Sequence, residues 1–281
     1  MLSSGVRRMK FRMPWFAVVF FVCNPAQARE VSPHAARAVE TIRQLRALGL
    51  PGGSSDETGP PARVPSLLRT LNAELKELIL DDLNDRTAHG IPGEDEIMDQ
   101  LRAAGWEEIP SHKWNAYGEI RQINFDWKTE YDPGVLIIST QLWLPCGSAD
   151  PDSAIYVFQG RARKWDLVLA TESDFDPIGQ QDFSGMQYQI SPPDEAGRWF
   201  LVVGHVPASC RRTELALRYK VLRPGPNSEK PILISSGREV INSLYDPAFR
   251  ITVQSDWFAV IEGKKRLLDD EPGVAVFTVL I

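Results

Sequence analysis

197-GRWFLVVGHVPASCRRTELALRYKVLRP-224 decides how this chain is read. Trp199–Val203 is an apolar run that ends in Gly204-His205, Cys210 follows, and Leu215–Leu222 is a second β-type run. An earlier stretch has the same order. An apolar run from Val135 to Leu144 leads to Cys146 and then to a strand pattern at Ile155–Phe158. Cys146 to Tyr156 is ten residues and Cys210 to Tyr219 is nine. Each copy continues through a glycine (Gly160, Gly225) and a lysine to a third apolar run, Trp165–Leu169 or Ile232–Ile234. This is weak self-similarity at a period of about 64 residues, the mark of a repeated supersecondary unit. It speaks to architecture rather than to chemistry.

The chain has 281 residues, enough for one large domain or two modest ones. Residues 1–28 have the three parts of a secretory leader. Arg7, Arg8, Lys10 and Arg12 form the basic end, Trp15–Val22 is a short apolar run, and Ala26-Gln27-Ala28 is a small-x-small cleavage site. The apolar run is shorter than the roughly 20 residues that span a bilayer, so removal after Ala28 is expected rather than a retained anchor. A periplasmic or secreted location follows. Loss of the four basic residues leaves 27 Lys+Arg against 37 Asp+Glu, a net charge of −10. A field of that sign repels phosphate backbones and anionic lipid, which argues against nucleic acid and against membrane insertion of the mature chain. Cys146 and Cys210 remain, and an even pair in an oxidising compartment is expected to form a disulfide.

Along the mature chain, residues 29–65 read as a helix (32–48, capped by Ser32 with Pro33 next) followed by a Gly/Pro/Ser linker that leaves this helix loosely attached. Residues 66–110 read as a helical segment packed on the β-domain. Ser66 caps one helix with Leu71, Leu75 and Leu78 on its apolar face, and a second runs over 94–104 with Leu101 inward. Residues 111–281 change texture to Val, Ile, Trp and Tyr. Strands are expected near 119–127, 135–144, 154–159, 164–170, 186–191, 199–206, 214–222, 231–235, 249–254, 257–262 and 274–281. The expected fold is α+β: N-terminal helices, then a mainly antiparallel β-sandwich or irregular barrel carrying the repeat, with propeller-like blades as the alternative. Ala208-Ser209-Cys210 followed by Leu217-Arg218-Tyr219 resembles secreted bacterial proteins of unknown function over roughly the last 90 residues. The resemblance implies export and β architecture, and no activity.

Familiar catalytic signatures are missing: the sequence has neither GxSxG nor HExxH. The leading expectation is a non-catalytic binding or interaction protein for an extracytoplasmic protein or glycan. The other is a hydrolase of envelope or extracellular polymers with its site assembled from loops. His205 is a candidate binding residue because it ends an apolar strand beside Gly204. Trp106, Trp114 and Tyr117 flank the helix-to-strand junction, where they either seal the helices onto the sheet or form a shelf for a sugar or peptide. Trp127, Trp143, Trp165 and Trp199 fall in strand patterns and read as core. No cofactor is implied except through Glu172, Asp174, Asp176 and Asp182, whose alternating carboxylates and Gly179 resemble a short calcium loop. Pro177-Ile178 interrupts that pattern before the glycine, and a solvated acidic turn is the competing reading.

Overall fold

The computed structural model describes residues 31–49, 61–85, 93–109, 117–144, 152–161, 164–173, 186–205, 215–228, 230–241, 249–253, 258–266 and 272–280. For Arg161, His205, 215–217 and everything after Arg238 the backbone alone is described. These residues form three helices followed by antiparallel sheets, an α+β protein.

Helix α1 (Pro33–Ala47) starts where Ser32 accepts a hydrogen bond from the His34 N–H, with Pro33 in the first turn, and it buries Ala35, Ala38, Val39, Ile42 and Leu45. Helix α2 (Val64–Asp85) begins two residues before Ser66. Pro65 is tolerated there because its missing N–H belongs to the first turn, where no intrahelical acceptor exists. Helix α3 (Glu94–Ala103) is opened by Glu96, whose carboxylate accepts the Gly93 N–H at 2.8 Å.

Strands β1 (Ile120–Lys128), β2 (Val135–Leu142), β3 (Asp152–Arg161) and β4 (Lys164–Glu172) form a first sheet in simple meander order. Strands β5 (Gln187–Ile190), β6 (Leu201–His205), β7 (Leu215–Asn227) and β8 (Lys230–Ile241) form a second with the same order. The repeat in the sequence is this equivalence: β2, β3 and β4 correspond to β6, β7 and β8. A third sheet, β9 (Phe249–Val253), β10 (Phe258–Arg266) and β11 (Pro272–Leu280), follows them in the chain. Both four-stranded sheets are open, so the barrel form of the expectation does not apply.

Alternation along the strands assigns the layers. Leu136, Ile138 and Leu142 of β2, with Ala154, Tyr156 and Phe158 of β3, face the helices and share one core with Leu71, Leu75, Leu78, Ile79 and Leu101. The intervening Val135, Ile137, Ile155 and Val157 face the second sheet and pack with Trp199, Leu201, Val203 and Leu222. With both faces covered, β2 and β3 read as unbroken apolar runs, a pattern usual for doubly covered sheets.

α1 is not loosely attached. Its buried face lies in the helix–sheet core, and Arg46 grips the buried carboxylate of Glu119, just before β1, with Nε–Oε1 at 2.5 Å and Nη2–Oε2 at 2.7 Å. Gly118 has φ +78°, and a Cβ there would come within 2.4 Å of the Leu45 side chain, so glycine lets the chain entering β1 pass close under α1. Tertiary burial, which the linker composition does not report, fixes this helix.

β7 also departs from expectation, running through Pro224 to Asn227 instead of ending before the proline. Pairing with β8 jumps between Arg223 and Asn227, so Pro224 sits where no ladder bond is required of its nitrogen. Among the described residues no helix is long and apolar enough to cross a membrane.

Candidate functional site

The residues singled out by sequence are placed apart. Trp106 and Tyr117 are 6% and 4% exposed and belong to the helix–sheet core, the sealing position rather than an open shelf. Arg102 lies over the Trp106 ring at 5.9 Å, and burial raises the Tyr117 hydroxyl above its ordinary range. Trp106 also borders a cavity of about 270 Å³ with Val39, Ile42, Arg43, Arg46, Gly105 and Glu107. His205 ends β6 opposite Arg218. Trp114, Asp174, Asp176, Asp182, Cys146 and Cys210 lie outside the described residues. Glu172, the described member of the acidic set, closes β4 and places Oε1 3.5 Å from the Tyr156 hydroxyl. Among the described residues no group of three or more His, Cys, Asp or Glu could hold a metal ion.

The helix-facing side of the first sheet carries two groups of chemistry-bearing side chains, one at each end. The first centres on Asn72 of α2. Asp152, Ala154 and Tyr156 alternate along β3 toward the helices, and Ala154 is flanked in register by Thr140 and Glu172. The small residue in the middle leaves room for the helix to bring a polar side chain down. Asn72 Nδ2 donates to Asp152 Oδ2 at 2.9 Å, Thr140 Oγ1 donates to Asn72 Oδ1 at 3.3 Å, and the Tyr156 hydroxyl donates to the Asn72 carbonyl at 3.1 Å. All four residues are at most 2% exposed, and Lys76, one turn along α2, is 6% exposed. Burial, then Glu172 and Asp152, hold the Tyr156 hydroxyl well above the ordinary tyrosine range. Ser173 completes this end, accepting from Ser153 N–H and donating to Ser153 carbonyl. A network closed to solvent and mutually hydrogen-bonded fixes where α2 sits on the sheet.

The second group lies at the opposite end of the same face. Trp127 on β1 and Trp165 on β4, the two edge strands, meet edge to face with ring centroids 5.0 Å apart and an interplanar angle of 66°. The strands between them contribute glycine: the Gly160 N–H donates to the Gly134 carbonyl at 3.1 Å. A Cβ on Gly134 would stand 3.3 Å from the Trp127 ring, and one on Gly160 3.4 Å from the Trp165 ring, so the indoles lie down against bare backbone. Trp165 and Phe125 pack against the helix–sheet core, whereas Trp127 keeps 37% of its surface in solvent. Trp199 is buried as expected of a core residue, and Trp127 departs from that expectation. The signal that could have found it is positional. Trp127 is flanked by Asp126 and Lys128 on an edge strand next to Gly134, and edge positions beyond a helix end are not covered.

The polar end is closed to solvent, whereas the aromatic end leaves Trp127 partly open to it. Compared with protein-family models, curated proteins and solved structures, the chain matches none.

Proposed function

We propose that the mature chain is a non-catalytic binding protein of the periplasm or extracellular space that engages a glycan through the Trp127–Trp165 face. The observation that carries this reading is an indole 37% exposed, braced edge to face by a second indole on a glycine floor. Large rigid aromatics supply contact area at little entropic cost, and their faces suit the C–H side of a sugar ring. The leader peptide and the resemblance of the Ala208–Tyr219 stretch to secreted bacterial proteins support the location. A net charge of −10 favours a neutral ligand over a polyanion. Hydrolysis of a glycosidic bond would call on a pair of carboxylates open to substrate. Asp152 is instead 1% exposed and tied to Asn72.

Calorimetry with chitohexaose and sedimentation with purified peptidoglycan test the reading. Trp127→Ala should weaken binding at least about tenfold, the equivalent of roughly 1.4 kcal/mol, with only a modest fall in melting temperature because 37% of the residue's surface already lies in solvent. Equal binding by wild type and Trp127→Ala would sink it.

A further inference from the structure

We propose that Asn84, in the last turn of α2, is the positioning residue of the aromatic face; its bearing on ligand affinity rests on the binding role proposed above. β4 is an edge strand of its sheet, and among the described residues no strand pairs with the outward-facing backbone groups of Trp165. One side-chain amide takes both of them. Trp165 N–H donates to Asn84 Oδ1 at 2.8 Å, and Asn84 Nδ2 donates to the Trp165 carbonyl at 3.2 Å. The planar amide mimics the missing strand at a single residue, which fixes the local backbone and therefore the direction of the Trp165 Cα–Cβ bond. Gly160, opposite Trp165 in the ladder, offers no side chain to hold the indole from that side. The ring packs on one side against the helix–sheet core and on the other meets Trp127, 5.0 Å away, so its placement between them follows the backbone that carries it. The two partners are 81 residues apart in sequence, so only the docking of α2 on the sheet brings them together.

Adjacent indoles at this separation give an exciton couplet in far-ultraviolet circular dichroism, a signature that general loss of stability does not move while the protein stays folded. Asn84→Ala and Asn84→Asp are the variants. The aspartate keeps an acceptor for the Trp165 N–H but sets its second oxygen against the Trp165 carbonyl. In folded, ligand-free protein both should lose most of the couplet, and chitohexaose should bind about tenfold more weakly because the displaced Trp165 no longer braces Trp127. If Asn84→Ala does not fold, Asn84→Asp decides by the same couplet. An unchanged couplet in the folded variants overturns the proposal. Failure of the wild type to bind chitohexaose, with the couplet still dependent on Asn84, counts against the binding role and leaves the positioning role standing.

Discussion

The two ends of one sheet face, both under α2, have opposite characters. Asn72 and Asn84 are twelve residues apart on that helix, roughly 18 Å along its axis. At Asn72 the helix lies over the sheet, and Asn72, Thr140, Asp152 and Tyr156 are shut from solvent. At Asn84 the helix is finishing, and the same residue type reaches sideways to an edge strand beside a half-exposed indole pair. The same amide chemistry therefore serves fold specificity where burial is complete and site geometry where cover runs out. Position relative to the end of the covering helix, rather than residue identity, separates the two roles.

Three further experiments press on that comparison. The largest effect is expected from Asn72→Ala. It removes one hydrogen-bond partner from each of Asp152 and Thr140 inside the buried network, costing about 2 kcal/mol. Urea unfolding should show the loss, while the indole couplet of the folded fraction is retained; a variant as stable as wild type would mean the network does not hold α2. A smaller effect belongs to alkaline pH. The Tyr156 hydroxyl titrates well above its ordinary value of 10.0, so its contribution is fully present below pH 10 and is lost as pH rises through the raised pKa. Tyr131 behaves alike: its hydroxyl donates to the Ser191 carbonyl at 2.5 Å, and burial, Glu130 and Asp126 push it up to about 12. Tyr156→Phe should be less stable at neutral pH by about 1 kcal/mol and lose stability less steeply above pH 10. Parallel curves would place the alkaline sensitivity elsewhere.

The smallest effect is on the outer surface of the helices, away from both ends of the sheet. Glu74 is held below the ordinary carboxylate range chiefly by its hydrogen bond to Arg37, which outweighs the opposing effect of burial, with a further lowering from His34. Its contribution is present above the ordinary carboxylate pKa and is lost as pH falls through the lowered one. Glu74→Gln should flatten the acid limb of a melting-temperature profile slightly, the pair being near the surface and screened. An unchanged acid limb would remove this link between α1 and α2 from the stability of the fold.

How much was legible follows the same physics. Among the described residues all three helices and all eleven strands were readable because their apolar periods are strong, and the repeat announced the two equivalent meanders. The errors fell at polar strand ends. β3 begins at Asp152, not at Ala154, because Asp152 and Ser153 read as loop and are in fact buried against Asn72 and Ser173. Trp106, a sequence candidate for contact, is buried, whereas Trp127, read as core, is the exposed one. Asn72, Asn84 and Thr140 carried no sequence signal at all, since a lone asparagine on a helix looks like surface.

The sequence by itself determined the order and type of the elements and the sense of the strand pairing. These depend on local periodicity and turn chemistry, which are written in consecutive residues. Tertiary structure alone decided which tryptophans face water and which polar groups are sealed. Both are set by where α2 begins and ends across the sheet, through contacts between residues about 80 positions apart that leave no trace in any local pattern.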